Sequence, residues 1–293
     1  MSSVTASPAH TAGVTASSAD IAAAPDGGAL RRSGGRWLKA WAIRVVVLAA
    51  ALGVWQLLTT NHVVIWARFD TVPSVTDVVH AFSTSLQTQQ YYEDLGQSLI
   101  RIATGFIIAV AAAVPTGILL GRSATANTTI GTLVEVIRPI PAIALVPVAI
   151  LVLPTDEAGI VFITAIAAFF PILVATRHAV RALPTIWEDS VLTMGGRRRH
   201  VILQVVLPGI APGVFSGLSV GMGVSWICLI SAEMISGQLG VGYRTWQSYT
   251  VVDYPQVFVG MITIGVLGAI TSGGIEVVGR RLTRWLPRGE EAR

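Results

Sequence analysis

The chain has 293 residues, of which 53% are hydrophobic and only 12% are charged, and its mean hydropathy is +0.67. This balance excludes an ordinary soluble protein and indicates a chain that is solvated largely by lipid. The formal net charge is +4, but the basic residues cluster between apolar stretches, which argues against nucleic acid as a partner. The single cysteine, Cys228, allows no intrachain disulfide and no cysteine metal set, so we expect no bound metal.

The first 35 residues are rich in Ala, Ser, Thr, Gly and Pro and contain no long apolar run. A segment of this composition buries too little surface to order itself, so we predict a disordered cytoplasmic tail over residues 1–35. A secretory signal peptide begins with basic residues, whereas here the polar tail comes first, so we expect the tail to stay attached. Residues 289–293 are predicted to form a short cytoplasmic tail, and residues 36–288 the membrane domain between the two.

Six apolar stretches are long enough to cross a membrane as helices, which takes about 20 residues each. The third and fourth are interrupted by proline, and the loop between them is very short. We therefore predict an all-α integral membrane protein with about six spans, at residues 38–59, 97–120, 128–153, 158–180, 207–235 and 256–278.

Arginine and lysine indicate the orientation of the spans, because short cytoplasmic loops carry an excess of these residues. Basic residues precede span one and follow spans two, four and six, with Arg122 alone after span two, whereas the opposite loops hold few basic residues. Both termini are therefore predicted to be cytoplasmic. The loop after span four contains Arg197, Arg198 and Arg199, which fit either a topology signal that contacts lipid phosphates or ion pairs with a partner protein.

The segment between spans one and two contains an amphipathic pattern. Pro73 and Ser74 precede a stretch whose apolar residues recur at helical spacing. This pattern predicts a short helix at the outer membrane interface. A binding site for an external partner is the alternative role of the segment.

Residues 184–208, after span four, have the pattern of two helices joined by a glycine turn. Pro184 suits the first turn of a helix, and the apolar residues after it supply one helix face. Gly195 and Gly196 predict the end of that helix, because glycine accepts the left-handed conformation that a helix stop needs. A helical pattern resumes at Arg198, and Pro208 is predicted to restart the chain as it enters span five.

The spacing within this segment resembles the coupling-loop signature of binding-protein-dependent ABC importer permeases. That signature reads Glu-Ala-Ala, three residues, Gly, nine residues, then Ile-x-Leu-Pro, and here Asp-Ser-Val and Val-Val-Leu-Pro stand at the same spacing. Asp189 stands in place of the Glu of the signature, which keeps the acidic group but changes the contact that this group makes with the ATPase. The resemblance assigns contact with an ATPase to Asp189, Ser190, Val191, Gly195, Val205, Leu207 and Pro208.

From about Pro73 to Trp285 the chain is similar to the nitrate, sulfonate, taurine and bicarbonate branch of these permeases. The similarity rests on the order and spacing of several pieces: "LGQSLIRIATGF", "RPIPAIALVPVAILVL", the coupling segment, "WICLISAEMISGQLGVGYRTWQSY" and "VGMITIGVLGAITSGGIEVVGRRLTRW". The loop "LPTDEAG" departs from the Phe-Gly, Gly and Lys pattern that is usual in the branch, so we expect a different shape of the outer gate there.

The resemblance implies the transmembrane domain of a type I ABC importer in a bacterial plasma membrane. A homodimer of the permease would surround the path, a pair of separate ATPase subunits would use ATP and Mg, and an external solute-binding protein would deliver the solute. Alternating access would move a small anion such as sulfonate, taurine, nitrate or bicarbonate. A vitamin precursor or another small nitrogen compound is the alternative cargo.

The sequence contains no motif for chemistry of its own. There is no G-x-x-x-x-G-K-[ST] phosphate loop, no hydrolase motif and no cluster of His and Cys. We therefore expect a transport subunit that is not an enzyme and that binds no cofactor. A stand-alone secondary transporter is the alternative class, but it would show an inverted repeat, and none is seen in the sequence.

Charged residues within the spans are candidates for function, because their burial in lipid is costly. Arg138 stands beside the break Pro139–Pro141, where it either attracts an anionic solute or pairs with Glu135 on the same helix face. Glu233 is expected either to contact the solute or to pair with Arg244.

Two further residues in the middle of span five are candidates for the wall of the path. Ser225 and Trp226 combine a hydroxyl and an indole N–H within an apolar stretch. A Trp in such a helix is more often a packing residue, so both roles stay open at this point.

Overall fold

The computed structural model describes residues 31–61 and 71–285, and the regular elements in that part of the chain are helices. In chain order they are α1 (Arg31–Thr60), α2 (Val75–Ser85), α3 (Gln89–Arg122), α4 (Ala124–Ile137), α5 (Ala142–Val152), α6 (Asp156–Arg181), α7 (Thr185–Thr193), α8 (Arg198–Ser236), α9 (Val241–Thr250) and α10 (Tyr254–Leu282).

Five described helices, α1, α3, α6, α8 and α10, are long and apolar enough to cross a membrane. The pair α4 and α5 passes the same test when taken together, but its two halves meet at a bend of 80°. Counting the pair as one broken span gives six, which confirms the prediction of about six. Pro139 and Pro141 stand at the bend, where each removes a backbone donor and blocks continuation of the helix.

The first helix starts earlier than predicted. α1 begins at Arg31, so residues 31–35, which were expected in the tail, are helical. The rest of the two predicted tails, residues 1–30 and 289–293, lies outside the described residues. Residues 31–57 belong to a unit of their own, in which the large apolar side chains described between Trp41 and Val54 are exposed, as suits a helix in lipid.

Helices α3 and α6 run parallel and approach each other along stripes of small residues. On α3, a small residue recurs at every fourth position: Gly105, Ala109, Ala113, Gly117 and Gly121. A Cβ added to Gly117 would lie 2.7 Å from the Cβ of Thr176 on α6. Small residues allow membrane helices to come this close, and the dense van der Waals contact then stabilises the pair.

Helix α8 packs antiparallel against another side of α6, again along a glycine stripe. The stripe consists of Gly209, Gly213, Gly217 and Gly221. A Cβ added to Gly213 would lie 2.5 Å from that of Ala179, and one added to Gly217 would lie 2.5 Å from that of Ala175. Helix α6 is therefore the central element, with α3 and α8 in close contact with it.

The short helix α2 confirms the helix predicted after Pro73, and its place at the outer membrane interface stays a prediction. The hydroxyl of Ser74 accepts a hydrogen bond from the N–H of Asp77 at 3.2 Å, and the Asp77 carboxylate accepts one from the N–H of Ser74 at 3.1 Å. This reciprocal cap satisfies two backbone donors at the helix start. At the other end, Ser85 donates to the side chain of Gln256 at 2.8 Å, so α2 lies against the start of α10.

Candidate coupling segment and translocation path

Helix α7 forms the first half of the segment 184–208 and ends at the predicted glycine turn. Gly195 has φ = +84°, a left-handed conformation that residues with a Cβ rarely adopt. Its N–H donates to the carbonyl of Leu192 at 3.0 Å. The N–H of Gly196 donates to the carbonyl of Val191 at 2.9 Å. These bonds satisfy carbonyls at the helix end, so the predicted sequence of helix, glycine turn and helix is confirmed.

The two faces of α7 differ in their contacts. Val191 is half-buried and packs on a cluster at the ends of α6 and α8, which includes Val180, Val201 and Ile210. Ile186 and Leu192 lie on the side of α7 away from Val191, with exposed fractions of 65% and 47%. Trp187 and Met194 lie nearer to Val191 and are also exposed, at 44% and 88%. An exposed apolar patch of this kind is typical of a surface that another protein or a membrane covers.

Asp189 lies exposed on α7, on the same side of the helix as Ile186 and Leu192, which stand three residues before and three after it. Within the part of the chain that the structure describes, no ion pair or hydrogen bond involves its carboxylate. The neighbouring Ser190 differs, because its hydroxyl donates to the carbonyl of Ile186 at 2.7 Å, within the same helix. Asp189 therefore has its charge available for a residue outside this chain.

The structure corrects the expectation that Pro208 restarts the chain. Helix α8 continues through this position, and the residues before it, Val201–Val206, form a π-helical turn. Proline has no N–H to donate, and its ring clashes with the carbonyl one turn back, so a wider turn accommodates it without a break. Val205 is half-buried and Leu207 is exposed, on a helix that joins the coupling segment directly to span five.

Glu188 has a partner that the sequence did not reveal. Its two carboxylate oxygens accept hydrogen bonds from Nη1 and Nη2 of Arg122, at 2.7 and 2.9 Å. Arg122 is the last residue of α3, so this two-point ion pair joins α7 to a membrane span. The hydrogen bonds from Arg122 lower the pKa of Glu188 below its ordinary value, which keeps the carboxyl charged at neutral pH.

A cavity of about 680 Å³ lies beside the broken span. Its wall comes from the bend between α4 and α5 and from α6 and α8, and it is mostly apolar, with Ile140, Phe170 and Val224 among its residues. Arg138 and His178 are the titratable side chains in the described wall, and no acidic residue is among them. The cavity therefore combines apolar surface with basic groups, which favours an anion over a cation.

Among the residues that the structure describes, Arg138 has a weak partner in Glu135. Its Nη1 lies 3.8 Å from the carboxylate of Glu135, and about half of each side chain is exposed. Glu135 instead accepts a hydrogen bond of 2.6 Å from Nη2 of Arg177 on α6. The pairing expected within the helix is therefore present at the limit of ion-pair distance. Because Arg177 is the closer partner of Glu135, the positive charge of Arg138 at the cavity wall is only weakly compensated by Glu135.

Ser225 and Trp226 lie in contacts between helices. Ser225 is fully buried, and its hydroxyl donates to the carbonyl of Thr164 on α6 at 3.1 Å. The indole N–H of Trp226 donates to the hydroxyl of Thr271 on α10 at 2.9 Å. Neither side chain is among the described residues that line the cavity. Their packing role is thus visible, and a role in the path stays a prediction.

Glu233 pairs with Arg101 and not with Arg244, which corrects the expected ion pair. Oε1 of Glu233 lies 3.0 Å from Nη1 of Arg101, and Arg244 bonds to Asp94 at 3.3 Å instead. The reason is the position of α3, which lies against the turn between α8 and α9 and offers a partner to each charge. No cavity-lining role of Glu233 is seen among the described residues.

The turn between α8 and α9 closes around the Glu233 carboxylate. Gly240 has φ = +144°, and a Cβ there would lie 2.5 Å from the carboxyl carbon of Glu233. The N–H of Gly242 donates to Oε2 of Glu233 at 2.9 Å, and the hydroxyl of Ser98 donates to Oε1 at 2.7 Å. The turn therefore requires glycine for steric reasons and hydrogen-bonds a buried carboxylate.

Arg101 also forms an ion pair with Glu157 at the start of α6. We call Arg101, Glu157 and Glu233 the outer cluster, since it joins α3, α6 and α8 on the predicted outer side. Sequence analysis missed Arg101 and Asp94. Their signal was available, because Asp94, Ser98 and Arg101 recur four and three residues apart and so share one face of an otherwise apolar helix.

The comparisons with known proteins agree on one family. The family described as "binding-protein-dependent transport system inner membrane component" matches residues 113–284, more than half of the chain. The chain belongs to this family. A protein of Methanocaldococcus jannaschii named as an ABC transporter permease is 34% identical to it over 246 residues, 83% of this permease and 91% of that protein.

Two relatives carry names that mention a cargo. The nitrate import permease NrtB of Leptolyngbya laminosa is 25% identical over 233 residues, which are 79% of this permease and 84% of NrtB. SsuC of Bacillus subtilis, named for aliphatic sulfonate transport, is 24% identical over 257 residues, 88% of this permease and 92% of SsuC. These relatives confirm the resemblance to the nitrate and sulfonate branch.

A solved structure confirms the fold class. A chain of the methionine ABC transporter MetNI, in an inward-facing conformation, matches with a TM-score of 0.54 and 19% identity. The match covers 68% of this permease and 97% of that chain. The permease therefore has the all-α transmembrane fold of a type I ABC importer.

Proposed function

We propose that the permease is the membrane-spanning subunit of an ATP-driven importer that moves a small anion by alternating access. In this proposal it is a multi-pass protein of the bacterial plasma membrane with both termini in the cytoplasm. A separate pair of ATPase subunits supplies the energy, and an external binding protein supplies the solute. The membrane fold and family membership support the transport role.

The observation that carries the proposal is the exposed face of α7. Large apolar side chains stand exposed along this helix, and two of them, Ile186 and Leu192, lie on the side of Asp189, whose carboxylate has no partner among the described residues. The turn at Gly195 fixes the end of the helix. A short amphipathic helix in a groove is a common mode of protein recognition. The groove of an ATPase subunit would cover this face, and closure of the ATPase pair would move α7.

The charge of the cavity supports an anion as the cargo. Arg138 and His178 lie in a wall without a described acidic residue, and guanidinium groups suit the oxygen atoms of nitrate or a sulfonate. The names of NrtB and SsuC point to the same chemical class. We extend this class to the permease as a proposal.

A second copy of the permease is expected to complete the path. One chain has six spans at most in its described part and one coupling segment, and the apolar side chains of the broken span are widely exposed, with Leu151 at 84% and Val136 at 69%. A homodimer would cover such surface and place two coupling segments opposite two ATPase subunits. Chemical cross-linking of the complex in membranes would detect this dimer.

The proposed contact with the ATPase can be tested by co-purification. Asp189→Lys reverses the charge on the exposed face of α7, and Gly195→Trp places a bulky residue at a left-handed φ, so each should release the ATPase from the solubilised complex. Glu93→Lys, an exposed charge reversal at the start of α3, is the matched control and should leave the complex intact. Undiminished co-purification of both coupling variants would contradict the proposal.

A further inference from the structure

Two neighbouring acids on α7 have different environments. Glu188 is held by two hydrogen bonds from Arg122, whereas the carboxylate of Asp189 is exposed and has no partner among the described residues. A contact with the ATPase that uses Asp189 thus leaves Glu188 to a contact within the permease. The two acids can therefore be altered separately.

The pair of Arg122 and Glu188 has the geometry of a strong surface interaction. Nη1 of Arg122 donates to Oε1 of Glu188 and Nη2 donates to Oε2, and the two side chains are 32% and 27% exposed. Two parallel hydrogen bonds fix the orientation of the partners as well as their distance. Arg122 also lies at the carboxyl end of α3, where a positive charge is favoured by the helix dipole.

Helix α3 links this pair to the outer cluster. Arg101 and Arg122 lie on the same continuous helix, about 30 Å apart along its axis, with Pro115 between them. At the outer end, Arg101 bonds to Glu233 and to the carbonyl of Leu239 in the turn after α8. Between these ends, α3 is in close contact with α6 along its stripe of small residues. A displacement of Arg122 would therefore reach the outer turn through one continuous helix that α6 supports along its length.

We propose that Arg122 and Glu188 are positioning residues, which transmit the movement of α7 through α3 to the outer turn at Leu239. This inference rests on the proposed function, because it assumes that an ATPase moves α7. It separates two tasks of the coupling segment. The exposed side with Asp189 binds the ATPase. Glu188 connects α7 to α3, a span that does not adjoin α7 in the sequence.

A purely structural role for the pair predicts a different result. If the ion pair only stabilised the fold, its loss would lower the yield or the melting temperature without affecting the link between ATP and the outer turn. The readout must therefore report movement of the outer turn. Leu239 is suitable, because its side chain is 52% exposed and its carbonyl is the group that Arg101 holds.

The experiment uses the complete complex with its ATPase in lipid vesicles. Cys228→Ala removes the native thiol, which is buried, and Leu239→Cys supplies a single reactive site. The rate of labelling of this cysteine by a membrane-impermeant maleimide is measured with and without ATP and Mg. Hydrolysis of ATP and the amount of bound ATPase are measured on the same samples.

We expect ATP to change the labelling rate in the parent protein. Glu188→Gln and Arg122→Gln should each reduce that change about threefold to fivefold, the factor expected for an exposed ion pair, while ATPase binding persists. The double variant should be no worse than either single one, because both remove the same interaction. The charge exchange Arg122→Glu with Glu188→Arg should restore part of the change.

Three results would overturn the positioning role. The first is an unchanged effect of ATP on the labelling rate in the single variants. The second is a loss of this effect in the double variant that equals the sum of the two single losses. The third is a parent protein that hydrolyses ATP while the labelling rate of Leu239→Cys stays the same. Failure of the proposed function itself looks different, since the ATPase would then fail to bind even the parent. Asp189→Asn serves as the contrast, because it should weaken ATPase binding first.

Discussion

Arg101 and Glu233 form an ion pair between α3 and α8 in which the side chains are 2% and 0% exposed. Burial of two charges is costly, and their attraction offsets the cost only when further hydrogen bonds satisfy the remaining atoms. Here Ser98 and the N–H of Gly242 provide such bonds to Glu233. The outer ends of three spans therefore depend on one buried guanidinium.

Glu233→Gln should lower the free energy of unfolding of the permease by about 3 kcal/mol, because the buried charge of Arg101 then keeps one of its two carboxylate partners, Glu157. Glu157 remains as a partner, but its side chain is 47% exposed and cannot replace the bonds inside the turn. Thermal unfolding in detergent, followed by size-exclusion chromatography of heated samples, measures the loss.

The control for this change is Glu276→Gln. Glu276 lies 3.8 Å from Arg280 on the surface of α10, where both side chains are more than 60% exposed. Such pairs contribute little, so the melting temperature should stay the same. An equal drop in melting temperature in the two variants would contradict the claim that the outer cluster stabilises the permease.

Gly117→Ala should destabilise the contact of α3 with α6 by about 2 kcal/mol, as overpacking does. The new methyl group would lie 2.7 Å from Thr176 and 2.9 Å from the carbonyl oxygen of Leu173, which cannot move without the helix. Gly265→Ala on α10 has no atom within 4 Å and should be neutral or slightly stabilising. Chemical unfolding of both variants checks the difference, and a neutral Gly117→Ala would refute the close contact.

Acidification should release α7 from α3 by protonating Glu188. Arg122 lowers the pKa of Glu188, so the interaction is fully present above the ordinary glutamate pKa of about 4.3 and is lost as the pH falls through the lowered value. A spin label on Met194→Cys, in a Cys228→Ala background, should keep constant mobility from neutral pH down to the ordinary glutamate pKa and become more mobile only at lower pH. With Glu188→Gln, the label should be mobile at every pH.

Gly195→Ala should weaken ATPase binding through the backbone alone. No atom lies within 4 Å of the added methyl, but φ = +84° costs a residue with a Cβ about 1 to 2 kcal/mol. Gly195→Asn should lose less, because Asn tolerates this conformation better than Ala. Titration of the solubilised permease with the ATPase measures both, and equal affinities of the parent and of Gly195→Ala would show that the turn does not control the contact.

Much of the fold could be predicted because it depends on local patterns. The length of apolar stretches indicated the spans, and the spacing of Gly195 after Pro184 indicated a helix that ends in a turn. The two stripes of small residues on α3 and α8 were also present in the sequence. Their partners were not, because helix contacts depend on how distant segments meet.

The candidate site was predictable to a smaller degree. The acid near Gly195 was found by spacing, but its neighbour Glu188 and the partner Arg122 are 66 residues apart, and no local pattern connects them. The expected pair of Glu233 with Arg244 was wrong because α3 lies against the turn and provides Arg101. Pro208 was expected to restart the chain at span five. The helix instead continues through it, because the π-helical turn before it accommodates a residue without an N–H donor.

The most direct test of the central claim is a photo-cross-link from α7 to the ATPase. Met194 is 88% exposed, so benzoylphenylalanine at this position in the intact complex should yield one adduct with the mass of permease plus ATPase. The same group at Leu239, on the predicted outer side, should yield none. An adduct from Leu239, or no adduct from Met194 in a complex that retains the ATPase, would contradict the assignment of α7 as the coupling helix.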